Sequence, residues 1–514
     1  MFYKRYLVSF NLLKTYSFAA DPIQSIIYIY SQYVKRATKN KNYKNEAILM
    51  REKLNIIDNK YEQVNPKIVF PIVAMALLMI TVDSTIVATA LHTLQMDLNT
   101  SVSWAGWTLT AYSFGFVVML PLSAKLSIRF GNRPVFLISV ATFTLASLLC
   151  GLSTNIYMLI AMRALQAIGG SGLTPSATGI IVNHFNQSRD KFLGLFGSIF
   201  AIGGMIGPIF GGIFVSYSTW QWIFFINIPF GVIVLIMAMR FIPKAPPVNN
   251  RKESFDIPGL LLLAIGIISA MYAATYLGEE PSDIYTPFFI GLIVISIISF
   301  SIFFRHLKRV EYPFIKPEFI YGKGFGAVNL VNLIHTGMVI GSASLIPFYA
   351  ASRYGISGLN SGLLLVIEGS ASVIMSVIMS IYLRRTGYRM PLYVGSLILV
   401  TGVALLSFEP LQGIPPFTWL SMSTFLIGFG FGVMSPAARN AGIQLAPAQS
   451  ANLAAIRSLG LQMGQIISIA VATSIIAAAT SPAKAQAMVY IGLSILLLIT
   501  IPIISRVPEN RGSW

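Results

Sequence analysis

The sequence of 514 residues predicts an all-α, polytopic membrane protein with fourteen transmembrane helices. Three observations predict it. The chain is 55% hydrophobic and only 11% charged, where soluble domains carry about 25% charge. Its apolar residues gather in runs near the ~20 residues that cross a bilayer as a helix. Its basic residues collect in alternate connecting loops.

The apolar runs fall at 68–91, 104–124, 134–152, 156–183, 192–216, 219–242, 257–277, 286–304, 325–351, 359–383, 390–408, 416–436, 456–480 and 485–506. None reads as the ~10-residue alternating segments of a β-barrel. Loops after even-numbered spans are basic, from Lys125, Arg129 and Arg133 through Arg189, Lys191, Lys244, Arg251, Lys252, Arg305, Lys308, Arg309, Lys316 and Lys323 to Arg384, Arg385 and Arg389. Loops after odd-numbered spans hold almost no Lys or Arg, with Arg353 and Lys484 the exceptions, and one carries Glu279, Glu280 and Asp283. The positive-inside rule then places both termini in the cytoplasm, and a plasma-membrane location is expected. The formal net charge of +18 is thereby a topology signal, and nucleic acid is not an expected partner.

Composition also sets the domain boundaries. Residues 1–67 are rich in Lys, Asn and Tyr and form a cytoplasmic arm. The arm either lies on anionic lipid or is weakly ordered and dispensable, with Met50 the better start. A six-helix unit follows at 68–242, two additional helices at 257–304, a second six-helix unit at 325–506, and a cytoplasmic tail at 507–514. The two larger units echo each other. LSIRFGNRPVF follows span 2 and YLRRTGYRMPLY follows span 10, and aligning Gly131 with Gly387 also aligns Arg129 with Arg385 and Arg133 with Arg389. Repeats of this kind place a transporter's binding site where the halves meet.

Asp83 and Glu368 are the two acids deep inside apolar runs, where a carboxylate costs roughly 2.5–3.5 kcal/mol. Asp83 lies about eight residues, or roughly 12 Å, from the outer end of span 1. Glu368 in span 10 and the buried cation Arg163 in span 4 fall at nearly that depth. One arginine cannot neutralise two acids, so a surplus carboxylate is available to carry a proton or meet a cation. The alternative is a fixed Asp83–Arg163 pair with Glu368 facing a polar crevice. In span 5, IGGMIGPIFGG supplies Gly203, Gly207, Pro208, Gly211 and Gly212. Gly203 and Gly207 share a face that admits a neighbouring helix, and Pro208 permits a bend. A lone Cys150 and four scattered His residues exclude a disulfide framework and a metal site. No phosphate-binding loop of the GxxxxGK[ST] form is present, so ATP is not the driver. No nucleophile–base constellation points to an enzyme.

These residues resemble the major facilitator superfamily, and within it the fourteen-span drug:proton antiporters of the EmrB/QacA type. VDSTIVATAL carries Asp83 at the acid of the first-span signature, and WTLTAY matches the second span. RALQAIGGSG, GGMIGPIFGG and WQWIFFINIPFG match the fourth, fifth and sixth, and IRSLGLQMGQ resembles a stretch entering span 13. The likeness covers about residues 66–508. There are departures: Ala124 and Ile128 replace a Gly and an Asp of the loop after span 2, His92 a Pro, Ala88 a polar residue and Gln221 an Arg. The missing Asp puts the cytoplasmic latch between the two halves in doubt.

The resemblance implies the major facilitator fold, two six-helix bundles plus two extra helices, with a cavity lined by spans 1, 4, 9 and 12. Asp83 and Arg163 are then the proton-coupling residues. Glu368, which no family signature covers, is a substrate-binding candidate from its place in an apolar run alone, and on span 9 Asn329, Asn332 and His335 are further candidates, with interhelical hydrogen bonding equally open for these three. Arg129, Gly131, Arg133 and the span-5 Gly-Pro residues serve gating and packing. Phe348 and Tyr349 read as interface anchors. The expected function is proton-coupled efflux of lipophilic, cationic drugs or toxic compounds, and the alternative is transport of a specific metabolite or siderophore. No cofactor is expected beyond the proton gradient. The partners are lipid, protons, a small-molecule substrate and, in a Gram-negative cell, a periplasmic adaptor.

Overall fold

The computed structural model describes residues 64–185, 189–243, 256–280, 285–310, 313, 315–322, 324–446 and 450–509. The N-terminal arm up to residue 63, Lys244, Arg251, Lys252, Asp283, Lys323 and residues 510–514 lie outside them. Fourteen helices are long and apolar enough to cross a membrane, and no strand occurs among the described residues. They are spans 1 (Pro66–Asp97), 2 (Val102–Phe130), 3 (Asn132–Gly151), 4 (Ile156–His184), 5 (Ser198–Tyr217), 6 (Trp222–Phe241) and 7 (Ile257–Glu279). Spans 8 (Pro287–Arg309), 9 (Phe325–Ala343), 10 (Gly358–Thr386), 11 (Arg389–Ser407), 12 (Pro416–Leu445), 13 (Leu453–Ala478) and 14 (Pro482–Arg506) follow.

The loops mark where helices start. Ser101, Asn155, Asp256, Thr286 and Ser357 each accept a backbone N–H of the following first turn, satisfying donors that have no partner inside the helix. Two spans are less regular than their hydropathy suggests. Span 4 is broken at Gly172. Span 9 runs as α-helix over Phe325–Val331, as π-helix over Asn332–Met338 and as α-helix again over Val339–Ala343, then continues in a further helix, Ile346–Tyr354. Hydropathy is blind to both, because a π-turn changes hydrogen-bond register without changing composition.

Packing separates the two ends of the molecule. We call the end with the loops after even-numbered spans the basic face. Near the opposite face, Val82–Leu94 of span 1, Val102–Leu109 of span 2 and Trp220–Phe224 of span 6 share one apolar core with Leu345, Phe348, Ile469, Ala472 and Ile476 of the second bundle. Toward the basic face, the first bundle has its own core around Val69–Ile80, Phe136–Phe143, Ala177–Phe185 and Val234–Ile242. The second bundle has another, from Val328 to Val507.

Two seams join the bundles. At the span 5–span 10 seam, a Cβ on Gly212 would lie 2.8 Å from the Gly358 oxygen, and Leu359 donates its N–H to Ser216 Oγ at 3.0 Å. At the span 2–span 13 seam, Ser103 Oγ donates to the Thr473 carbonyl at 3.3 Å. Spans 7 and 8 cover this second seam. Trp107 Nε1 donates to Thr275 Oγ1 at 2.7 Å, and Leu263, Ile267, Met271, Phe303 and Leu307 pack with Val117, Leu459 and Ile466.

The internal echo has a structural counterpart. Gly131 and Gly387, which end spans 2 and 10, adopt φ of 94° and 71°, a region that favours glycine. Two residues later, Arg133 donates to the Met239 carbonyl at the end of span 6, and Arg389 donates to the Val507 carbonyl past span 14, each at 2.7 Å. Arginine thus ties the third helix of each bundle to the end of its sixth.

Candidate transport site

Asp83 and Arg163 are both buried, at 0% and 1% exposure, and are joined by Arg163 Nη1 donating to Asp83 Oδ2 at 2.6 Å. Asp83 Oδ1 accepts from Gln166 Nε2 at 2.8 Å and from Asn227 Nδ2 at 2.9 Å. Arg163 is held in turn through Nε and Nη1. Its Nε donates to the Thr108 carbonyl at 3.1 Å, its Nη1 also donates to Gln166 Oε1 at 2.5 Å, and its guanidinium lies 4.3 Å from the Tyr112 ring centroid. Gln166 Nε2 further donates to Ser147 Oγ at 2.7 Å. The charge pair therefore binds spans 1, 2, 3, 4 and 6 together. Removing water from two charges is costly unless their remaining valences are met, and here both Asp83 oxygens and the Arg163 Nε and Nη1 donors have partners.

Sequence reading reached Asp83 and Arg163 but missed Gln166, Asn227, Ser147 and Thr108. One signal was available: Gln166 stands three residues after Arg163, on the same helix face. The interhelical partners have no signature in the linear chain.

Glu368 meets the opposite surroundings. It is half-buried, and its carboxylate has no hydrogen-bond or ion-pair partner among the described residues. Its backbone is pressed by span 12, where a Cβ on Gly428 would lie 2.9 Å from the Glu368 Cα. The neighbouring Gly369 faces Met205 of span 5, at 3.3 Å to its Cγ. On the other side of the same stretch of span 5, Gly203 faces Thr81 and Gly207 faces the Val82 carbonyl. Asp83 and Glu368 thus lie at one level, on either side of span 5.

The span-5 glycines divide between two tasks. Gly203, Gly207 and Gly211 lie four residues apart and meet Thr81, Thr85 and Thr89, also four apart, along span 1. The threonine hydroxyls bond within their own helix, as Thr81 to the Leu77 carbonyl and Thr89 to the Ile86 carbonyl, both at 2.7 Å. Their outer sides are left to pack on glycine. Gly212 turns to span 10, and the Pro208 carbonyl fills the space a side chain at Gly362 would need.

On span 9 the polar residues are engaged inside their own bundle. His335 is buried between Thr500 Oγ1 (2.9 Å) and Ser396 Oγ (3.0 Å), tying spans 9, 11 and 14. Asn329 donates to the Phe319 and Ile320 carbonyls at 2.7 and 3.0 Å. Asn332 donates to the Val328 carbonyl at 3.0 Å, and its buried Oδ1 has no partner. Of the two readings left open, hydrogen bonding within the bundle describes His335 and Asn329. Phe348 and Tyr349 are not interface anchors. Both are buried, Phe348 with its ring centroid 5.7 Å from that of His92, and Tyr349 donating its hydroxyl to the Leu406 carbonyl at 3.0 Å. Phe348 fills the gap between the bundles near the opposite face, while Tyr349 packs inside the second bundle. In the last turn of span 2, Ile128 and Arg129 are exposed, and Gly131, which caps it, is buried.

The model of the Major Facilitator Superfamily matches residues 73–469. The chain belongs to that superfamily. It is a multi-pass membrane transporter. Among curated relatives, Multidrug resistance protein 3 of Bacillus subtilis strain 168 is 30% identical over 427 residues, covering 80% of this chain and 81% of that protein. Multidrug resistance protein B homolog of Mycobacterium tuberculosis strain H37Rv is 28% identical, covering 77% and 73%. The Riboflavin transporter RibZ of Clostridioides difficile strain 630 is also 28% identical, covering 77% and 86%. Among solved structures, peptide transporter POT in complex with sulfate superposes with a TM-score of 0.62 at 15% identity, over 89% of this chain and 99% of that one. The human organic anion transporter MFSD10 (TETRAN) gives 0.56 at 17%, over 85% and 100%. These structures share the facilitator fold with this chain.

Proposed function

We propose that this transporter exports lipophilic, cationic compounds in exchange for protons, with both termini cytoplasmic and the structure described here open toward the cytoplasm. The observation that carries this reading is the contrast between the two acids, Asp83 fully buried and paired, Glu368 half-buried and without a partner. Glu368 has no partner, at the level of the bilayer where the bundles meet, so it can hold either a proton or a cationic substrate and not both. Competition of that kind is the simplest route to antiport. The names of the relatives support a drug substrate, and the shared core on the opposite face supports a cytoplasmic opening.

Asp83 and Arg163 act in this scheme as the coupling element. Protonating Asp83 removes its attraction for Arg163 and an acceptor for Gln166 or Asn227. Proton occupancy there therefore changes what holds spans 1, 4 and 6 together. The membrane potential supplies about 2.3 kcal/mol per charge per 100 mV, enough for a roughly fiftyfold gradient of a neutral substrate at one-to-one exchange. A specific metabolite is the second reading, favoured by the riboflavin transporter among the relatives.

The test uses inside-out vesicles loaded with the full chain. Energised vesicles should take up a cationic dye, and a protonophore should abolish uptake. Glu368→Gln should cut cationic uptake at least tenfold and leave thermal stability unchanged. Equal loss for cationic and neutral substrates would remove Glu368 as the cation contact, and protonophore-insensitive uptake would remove the proton.

A further inference from the structure

We infer that the Tyr112 hydroxyl is a second partner for Arg163, taken up when Asp83 binds a proton. The inference rests on the reading of Asp83 and Arg163 as the coupling pair, and it makes Tyr112 a positioning residue for that pair. Tyr112 lies on span 2 and Arg163 on span 4, and glycine lets these two helices meet closely. A Cβ on Gly115 would lie 2.9 Å from both the Ala164 carbonyl oxygen and the Ala167 Cβ. A Cβ on Gly170 would lie 3.3 Å from the Tyr112 Oη. Arg163 and Gly170 are seven residues apart, on one face of span 4. The Tyr112 ring thus runs along that face. It has the Arg163 guanidinium 4.3 Å from its centroid and Gly170 beside its hydroxyl.

Two polar groups in this contact are unused. The Tyr112 hydroxyl is buried with no hydrogen-bond partner among the described residues. Arg163 bonds through Nε and Nη1, and its Nη2 makes no hydrogen bond to them. A buried hydroxyl left unbonded costs its desolvation. Phenylalanine would offer Arg163 the same ring face without that cost. The hydroxyl is accounted for by a second state in which it is bonded. While Asp83 is charged, its 2.6 Å bond to Nη1 and the 3.1 Å bond from Nε to the Thr108 carbonyl hold the guanidinium over the ring. A proton on Asp83 removes the counter-charge. A short movement along the ring then brings Nη2 to the hydroxyl oxygen, which accepts. The other titratable group beside the pair is Cys150 of span 3, whose thiol lies 3.9 Å from Gln166 Oε1. Span 6 contributes only the Asn227 amide and the Phe224 ring, 5.6 Å from the guanidinium, and span 5 carries no charged residue. The new bond exists only with Asp83 protonated, so losing it makes transport require more acid.

Thermal unfolding of the purified full chain tests the bond without transport. Tyr112→Phe in the wild-type background should not lower the unfolding midpoint, because the hydroxyl has no partner there. In the Asp83→Asn background, where the side chain is always neutral, the same substitution should lower the midpoint further, by about 2 °C. Transport supplies the second measurement. In inside-out vesicles, Tyr112→Phe should raise the luminal proton concentration needed for half-maximal dye uptake by about tenfold, the worth of one hydrogen bond to a charged group. If Asp83→Asn does not fold, this second measurement carries the test. A fall of the midpoint in both backgrounds, or in neither, overturns the proposal. So does an unchanged proton dependence in Tyr112→Phe where Asp83→Asn has lost it. Failure of the coupling reading looks different: Asp83→Asn then transports with the wild-type proton dependence, and the unfolding midpoints alone decide whether Arg163 turns to Tyr112.

Discussion

At the scale of residues, Asp83 shows how completely a buried charge can be committed. Its two oxygens accept from Arg163, Gln166 and Asn227. Asp83→Asn therefore leaves Arg163 buried without its counter-charge, a loss of about 3–5 kcal/mol. The expected outcome is a clear fall in the thermal unfolding midpoint. Adding Arg163→Gln should restore part of it, since no charge is then stranded, while efflux stays absent. If Asp83→Asn unfolds at the wild-type temperature, the pair contributes nothing to the bundle. Of this site, the two charges were legible in the sequence because charge is conspicuous in an apolar run. Gln166 and Asn227 were not, because a neutral amide costs less to bury and is common in any helix.

At the scale of elements, span 5 fits span 1 through three glycines against three threonines. Gly207→Ala would place a methyl carbon 2.8 Å from the Val82 carbonyl oxygen, and overpacking of this kind costs about 1–3 kcal/mol. Gly204, three residues before it, has nothing within 4 Å of an added methyl. Gly204→Ala should therefore be neutral where Gly207→Ala lowers both thermal stability and transport. Equal effects of the two would mean that the glycines serve flexibility and not packing. The GxxxG spacing made the close face legible. Which helix occupies it was not, since spacing says nothing about the partner.

At the scale of the whole molecule, the bundles share a core on one side, while toward the basic face each has a core of its own. Alternating access requires that the shared side open. Cysteines at Ser216 and Leu359, in a Cys150→Ala background, sit where Leu359 N meets Ser216 Oγ at 3.0 Å, close enough for the ~7 Å Cα limit of a disulfide. Oxidation should stop efflux and reductant should restore it. Full transport by the cross-linked protein would show that this seam never parts.

The sequence by itself determined the membrane class, the number of spans, the internal repeat and the two acids. These follow from local quantities, namely hydropathy over about 20 residues and charge in the loops. Only the tertiary structure decided that Asp83 is saturated while Glu368 has no partner, and that His335 and Tyr349 are ties within the second bundle. The physical reason is that a helix in lipid satisfies its own backbone. Local sequence therefore fixes where helices form, while the partners of each polar side chain depend on which helices meet and at what depth.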